Sequence, residues 1–188
     1  VGLDHGAGTF SGTITNAAGQ IAFTKEGNGT QIFTGANTYS GTTTINAGTL
    51  QIGDGGTTGT LGSGPVIIAS GASLTINRSD DYSLSAGQSI SGAGSLIKNG
   101  SGTLTLPSSA TFTVGITLNA GTLKAGANEA FGASGTTFPL NDGSIHLNGY
   151  SQTLAAVSGN AASSVQGGTG LMSVLTLGSG NTSSTLAG

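Results

Sequence analysis

One segment of this chain occurs twice, and the two copies align without a gap. Residues 25–53 read KEGNGTQIFTGANTYSGTTTINAGTLQIG, and residues 98–126 read KNGSGTLTLPSSATFTVGITLNAGTLKAG. Lys25 of the first copy aligns with Lys98 of the second, and 12 of the 29 aligned pairs are identical. A chain that repeats itself at a fixed interval is built from stacked units. The repeat therefore constrains the fold more than any single motif does.

Both copies contain short runs in which apolar and polar residues alternate. This alternation places successive side chains on opposite faces of a β-strand. No run keeps the 3.6-residue apolar period of a helix long enough to predict one, which excludes α/β folds. In the first copy we predict that Ile45, Leu50 and Ile52 point into the core and that Thr44, Thr49 and Gln51 point outward.

Two all-β architectures fit short strands that are separated by Gly and Asn turns. A sandwich or barrel would join neighbouring strands by hairpins, whereas a β-solenoid would stack strands from successive coils. The repeat favours the solenoid, because identical positions would then stack into ladders. The offset between the copies predicts about three coils of roughly 24 residues each.

The most similar part of the two copies is a predicted corner. Gly adopts positive φ freely and Asn tolerates it, so Asn46-Ala47-Gly48 and Asn119-Ala120-Gly121 are predicted to turn the chain between two faces of a coil. Lys25 and Lys98 occupy equivalent positions, and we expect both at solvated corners. Tyr39 and Phe112 are also equivalent, and we expect both to pack in the core or in a turn.

The composition excludes several classes of function. Charged residues make up 6% of the chain, and the formal net charge is −3. Nucleic-acid binding needs a basic cluster, but the four cations are far apart in the sequence, so we expect no nucleic-acid partner. Cysteine is absent, which excludes disulfides and thiolate metal sites. No apolar run approaches the length of a transmembrane helix.

The acidic residues and histidines form no recognisable catalytic or metal-binding motif. Asp80 and Asp81 are adjacent, so on a strand they would point to opposite faces, and in a loop they would bind a cation or be solvated. Asp142 precedes His146 by one turn and part of a strand, but no G-x-S-x-G nucleophile motif accompanies them or His5. We therefore predict no catalytic, cofactor-binding or metal-binding residues and no cofactor, and we leave open whether Asp80 and Asp81 bind a cation.

The two copies resemble the passenger-associated β-strand repeat of Gram-negative autotransporters, the type V secretion family. The family pattern is approximately K-x-G-x-G-T-L-x-L-x-G-x-N-T-Y-x-G-x-T-x-I-x-x-G-T-L. The first copy departs from it at Gln31 and Thr34, and the second departs at Pro107–Ala110 and Val114. LNGYSQTLAAVSG, at residues 147–159, also resembles a common passenger segment, so the resemblance covers roughly residues 21–160.

This resemblance implies a right-handed parallel β-helix that is displayed outside the cell, without implying a biochemical activity. The resemblance implies that a complete family member has a signal peptide and a C-terminal membrane β-barrel, and we expect neither within residues 1–188. We therefore expect residues 1–188 to be a single β-helix fragment. We expect it to be attached to a membrane only through a C-terminal β-barrel that is missing from this fragment. Its repeat copies are placed at about 25–53 and 98–126, and a decayed third copy at about 143–188.

Three functional hypotheses follow. The first is a non-catalytic fragment, secreted or on the surface of a Gram-negative bacterium, for adhesion, self-association or display. Its expected partners are itself, head to tail or side by side, or a host or matrix protein or glycan. The second hypothesis is a secreted effector that acts on a host-cell receptor. The third is a carbohydrate-active β-helix enzyme, which would need a cluster of carboxylates or cations that the sequence does not show.

Overall fold

A computed structural model describes residues 6–107, 111–112, 115–132, 137–170, 172–178 and 185–186. Over these residues the regular structure consists of short β-strands, and none of them lies in a helix. The strands are β1 (Gly8–Phe10), β2 (Phe23–Lys25), β3 (Thr30–Phe33), β4 (Thr43–Ile45), β5 (Thr49–Ile52), β6 (Val66–Ile68), β7 (Ser73–Ile76), β8 (Tyr82–Ser83), β9 (Ile90–Gly92), β10 (Ser95–Lys98), β11 (Thr103–Leu106), β12 (Thr111–Phe112), β13 (Ile116–Leu118), β14 (Thr122–Ala125), β15 (Thr137–Leu140), β16 (Ser144–His146), β17 (Gln152–Leu154), β18 (Ala156–Gly159), β19 (Ser164–Gln166), β20 (Leu175–Leu177) and β21 (Thr185–Leu186).

These strands pair in parallel and form four sheets within the described chain. Sheet 1 has the order β1-β3-β5-β7-β10-β13-β15-β18-β21, sheet 2 the order β8-β11-β14-β16-β19, sheet 3 the order β2-β4-β6-β9-β12, and sheet 4 pairs β17 with β20. Each coil runs from sheet 3 to sheet 1 and then to the side of sheet 2, and sheet 4 takes the place of sheet 3 late in the chain. The fold is thus a three-sided β-solenoid. Its predicted right-handed sense is the one that parallel crossovers almost always take.

The core lies inside this three-sided coil and is built from columns of stacked apolar side chains. One column of sheet 1 contains five apolar residues and one buried lysine, each paired with its neighbour one coil away: Phe33, Ile52, Ile76, Lys98, Leu118 and Leu140. The predicted alternation is confirmed, because Ile45, Leu50 and Ile52 are fully buried while Thr44, Thr49 and Gln51 are partly exposed. Parallel stacking at about 4.8 Å per coil therefore builds a continuous core from small units.

The coils differ in length, and the offset between the two repeat copies is not a whole number of coils. Thr30 pairs with Thr49 in a short coil, whereas Val66 pairs with Ile90 in a longer one. Three coils carry the chain from Lys25, in sheet 3, to Gly92 in the same sheet. A further corner then leads to Lys98, which lies in sheet 1.

The expectation that identical positions of the two copies stack into ladders was therefore wrong, although the offset is close to the expected three coils. The offset between the copies equals three coils and one additional side. Equivalent residues of the two copies do not stack into one ladder, because the second copy is turned by one side of the solenoid. Sheet pairing is decided by spatial register, which sequence identity alone does not reveal.

Candidate functional site

Lys25 connects two adjacent coils at the corner between sheets 3 and 1. Its side chain is fully buried, and its Nζ donates to the carbonyls of Glu26 at 2.7 Å and Gly27 at 2.6 Å in its own coil. The same ammonium donates to the carbonyl of Ala47, 3.2 Å away in the next coil. Burial lowers the pKa of Lys25, and the nearby Glu26 carboxylate partly opposes that effect. We call this arrangement a corner clamp.

Lys98 forms the second corner clamp, between sheets 1 and 2. It is 1% exposed and lies in register between Ile76 and Leu118 in the core column. Its Nζ donates to the carbonyl of Gly100 and, at 3.4 Å, to that of Ala120 in the next coil. Burial lowers the pKa of Lys98 to about 8.

The prediction that Lys25 and Lys98 lie at solvated corners was therefore wrong. Both side chains turn inward, because the backbone carbonyls of two successive corners converge where each strand ends. Buried carbonyls need donors, and a lysine can donate to three of them at once.

Glycines allow the two coils of each clamp to approach. Gly48 has φ of 65° and Gly121 has φ of 76°, which confirms that the Asn-Ala-Gly tripeptides are corners. A Cβ added to Gly121 would lie 2.5 Å from the carbonyl oxygens of both Gly100 and Gly102. The pattern K-x-G-x-G-T in one coil and N-A-G-T in the next therefore forms one packing unit.

The segment NTYSG of the first copy packs in the same cross-coil manner. Tyr39 is fully buried, as predicted, and its hydroxyl lies 2.7 Å from Thr43 Oγ1. Its ring covers Gly62 in the next coil, where an added Cβ would lie 2.5 Å from two ring carbons. The side chain of Phe112, the equivalent residue in the second copy, lies outside the described residues.

Asn37 links its own coil to the coils before and after it. It lies on the side of sheet 2, where the first coils have no strand. Its Oδ1 accepts from the backbone N–H of Ile14 at 2.9 Å, and its Nδ2 donates to the carbonyl of Thr60 at 2.8 Å. The side chain supplies hydrogen bonds that a strand ladder would otherwise make. This part of the motif is therefore structural.

Arg78 is a buried cation whose role the sequence did not reveal. Its Nε and Nη2 donate to the two carboxylate oxygens of Asp80 at 2.9 and 2.8 Å. It also donates to the carbonyls of Gly59 and, at 2.6 Å, Thr57 in the previous coil. Its guanidinium carbon lies 5.0 Å from the ring centroid of Tyr82. The signal that points to it is the rarity of cations in this chain.

The neighbouring acidic pair is engaged by the protein itself. Hydrogen bonds from Arg78 hold the pKa of Asp80 below its usual value. Asp81 accepts from the backbone N–H of Thr103 at 3.1 Å through Oδ1. Across the described ranges, no group of three His, Asp or Glu residues is arranged to hold a metal ion.

Asp142 and His146 are not brought together as a catalytic pair. Asp142 is exposed at a corner, while His146 lies on the outer face of β16, in register with Lys124 and Gln166. No hydrogen bond or ion pair joins Asp142 to His146 in the part of the chain that is described, where Arg78–Asp80 is the salt bridge found. The Nδ1 atom of His146 is buried and has no hydrogen-bond partner there. His5 lies outside the described ranges.

The outer faces of the solenoid carry stacked hydroxyl and carboxamide groups. The hydroxyls of Thr49 and Ser73 lie 2.9 Å apart, and the hydroxyls of Ser144 and Ser164 lie 2.8 Å apart. At one corner, Asn119 Nδ2 donates to Asn99 Oδ1 at 2.7 Å, and Asn141 Nδ2 donates to Asn119 Oδ1 at 2.6 Å. At the equivalent corner of the first copy, Asn46 Nδ2 donates to Glu26 Oε1 at 2.6 Å. These ladders offer a surface for hydrogen bonding that carries few charges.

Comparisons with known proteins find similarity to a repeat family and to an adhesin. The family model described as passenger-associated-transport-repeat matches residues 23–52 and 96–125. The chain is also 42% identical over 94 residues to a protein named adhesin BmaC autotransporter, from Brucella suis biovar 1 (strain 1330). That match covers 50% of this chain and 3% of the relative.

No solved structure is significantly similar to the chain. The described residues contain no helix that is long and apolar enough to span a membrane. The two family matches coincide with the two corner clamps and their partner coils. The chain is therefore a β-solenoid in which two segments match the passenger-associated-transport repeat.

Proposed function

We propose that this chain is a non-catalytic, surface-displayed or secreted β-helix segment of a Gram-negative bacterium, which serves in adhesion. The observation that carries the proposal is that most of the cations are buried inside the solenoid. Of four cations, Lys25, Arg78 and Lys98 are buried and bind backbone carbonyls. The outer faces are left with hydroxyl and carboxamide ladders. Such a surface offers many weak contacts, which add along a rigid rod by multivalency.

The similarity to an autotransporter adhesin supports the same proposal. The solenoid offers any partner a stiff and weakly charged face. The partner would be a host or matrix protein, a glycan, or a second copy of the chain. Catalysis needs converging titratable groups, and the described acidic residues near Arg78 are instead bound to the protein itself.

The experiment displays the complete chain on a non-adherent laboratory bacterium and measures attachment to cultured host cells and to matrix-coated wells. Displaying cells are expected to attach more than cells that carry an empty display scaffold. A matched set of variants replaces outer Ser or Thr residues by Glu, and these are expected to reduce attachment without unfolding the protein. Attachment equal to that of the empty scaffold on every surface would contradict an adhesive role. A signalling response of host cells to the soluble chain, without attachment, would instead favour the effector alternative.

A further inference from the structure

The two corner clamps border one continuous part of the solenoid. The first clamp joins Lys25 to the carbonyl of Ala47, and the second joins Lys98 to the carbonyl of Ala120. We call residues 23–125, which include both clamps and their partner coils, the clamped core. Each border of the clamped core is therefore held by a buried ammonium that contacts two coils.

A third buried cation lies inside the clamped core. Arg78 donates to the carbonyls of Thr57 and Gly59, which belong to the coil before its own. The three buried cations thus each bind a carbonyl of an adjacent coil, and they do so at separate places along the stack. Hydrogen bonds from an ionised donor are roughly twice as strong as neutral ones, and they gain strength in a protein interior.

The coils outside the clamped core have no cation that could fasten them. The sequence contains no lysine or arginine before Lys25 or after Lys124. A carboxylate makes the charged contact between coils there, since Glu129 accepts from the N–H and the hydroxyl of Thr153 at 2.8 and 3.0 Å. Glu129 is partly exposed, so solvent weakens this contact.

Burial alone does not distinguish the outer coils from the clamped core on both sides. Residues 6–22 are exposed apart from Ile14, which is partly exposed. Residues 152–157, in contrast, include fully buried side chains such as Leu154 and Val157. The coils that follow the clamped core therefore share its apolar packing but lack its clamps.

Tension between the two ends of the chain acts along the solenoid axis, because the coils follow one another in chain order. The hydrogen bonds of parallel strands run from coil to coil, and each coil contacts only its neighbours. A coil under tension therefore peels from the stack, and its ladder bonds break in succession. At a clamp the same step must also separate a buried ammonium from its acceptor, which costs more than a neutral bond.

We propose that the two corner clamps limit mechanical unfolding of the solenoid. Under tension the coils outside the clamped core open first, and opening stops at Lys25 on one side and at the contact of Lys98 with Ala120 on the other. The clamped core stays folded until the force is higher. This property goes beyond the adhesive function proposed above and does not depend on it.

The test stretches single molecules of the complete chain, held by both ends in an optical trap, and records the released length and the force. Opening of residues 121–178 releases about 200 Å of extended chain, and opening of residues 6–24 releases about 65 Å. The wild type is expected to pause after these two releases. The clamped core is then expected to unfold at a higher force.

Lys98→Met is expected to move the pause, because the next cation toward the N-terminus is Arg78. Opening then continues through residues 79–120 and releases about 140 Å more. Lys25→Met acts at the other border and is expected to release about 110 Å more, through residues 25–56. The second variant decides the question if the first does not fold.

Lys124→Met is the matched control, because Lys124 lies on the outer face of β14, and it is expected to leave the pause unchanged. Hydrogen exchange measures the order of opening without force. The amides of β17 and β18 are expected to exchange about tenfold or more faster than those of β7, although all three strands carry buried side chains.

Three results would overturn the proposal. The first is unfolding of the wild type in one step without a pause. The second is a pause at the contact of Glu129 with Thr153, after opening of residues 154–178 alone. The third is a pause that the folded clamp variants leave in place, or that Lys124→Met moves by the same length. Attachment of displaying cells is scored separately, so the adhesive function and the mechanical role can fail independently.

Discussion

The ammonium of Lys98 lies 3.4 Å from the carbonyl oxygen of Ala120, which belongs to the next coil. The equivalent contact in the first copy joins Lys25 to Ala47 at 3.2 Å. A repeat that looks chemically empty therefore contains a charged group that fastens two coils together. The two copies share this packing unit, and the outer surface is available for other roles.

Replacing Lys98 by Met is expected to lower the free energy of unfolding by about 1–3 kcal/mol, because buried carbonyls lose their donor. Urea unfolding followed by circular dichroism measures the change. Lys124→Met is the matched control, since Lys124 lies on the outer face of β14; its effect is expected to stay within about 0.5 kcal/mol. Equal midpoints for the two variants would contradict the clamp.

The stability of the protein is expected to rise with pH from the folded-state pKa of Lys98 toward its unfolded-state pKa. Burial lowers the pKa of Lys98 to about 8 from its ordinary value of 10.5. The unfolded chain therefore binds more protons in this interval, and the free energy of unfolding increases with pH, by up to about 1 kcal/mol per pH unit. At still higher pH the trend reverses, because burial raises the pKa of Tyr39 and Tyr82.

Urea unfolding at about pH 7.5, 8.5 and 9.5 tests this pH dependence. The variant Lys98→Met is expected to flatten the rise, because it removes the titrating ammonium. A fall in the stability of the wild type over the same interval would refute the prediction.

Gly121→Ala is expected to destabilise the protein more than Gly71→Ala does. Both glycines have positive φ, 76° and 80°, so an Ala at either position costs about 1–2 kcal/mol of backbone strain. The space around Gly71 is open to 4 Å, whereas a Cβ at Gly121 meets two carbonyl oxygens at 2.5 Å. This overpacking adds about 1–3 kcal/mol. Thermal unfolding of the two variants separates strain from crowding, and an equal loss would show that the corner has room.

Arg78→Met is expected to cost about 2–4 kcal/mol, because it leaves the carbonyls of Thr57 and Gly59 without their donor. Asp80→Asn removes the ion pair alone and is expected to cost clearly less, since the Asp80 side chain is 38% exposed and solvent screens the pair. Chemical denaturation of both variants checks the order of the two effects.

Added calcium is expected to leave the midpoint of chemical denaturation of the wild type unchanged. A clear upward shift of that midpoint would identify a cation site at Asp80 and Asp81.

Much of the architecture follows from local pattern. The alternation around Ile45 and Leu50 predicts short strands with one buried face, and Asn46-Ala47-Gly48 predicts a corner. Both features depend on backbone preference and side-chain period, which act over a few residues. The fixed interval between the two copies predicts a solenoid, because stacking uses the same unit repeatedly.

The burial of the Lys25 and Lys98 side chains could not be predicted from local sequence pattern. A lysine is normally exposed, and its burial here depends on carbonyls that come from two successive coils. Arg78 is similar, since its partners Thr57 and Gly59 lie in the preceding coil. Contacts of this kind exist only once the coils are stacked.

Strand period and turn chemistry are local properties, so the amino-acid sequence is enough to predict a stack of short β-strands with glycine corners. The length of each coil, and therefore the side on which each copy lies, depends on the tertiary structure. Register is set by the packing of whole coils against one another. That packing turns the second copy by one side of the solenoid and places Lys98 in the column of Ile76 and Leu118.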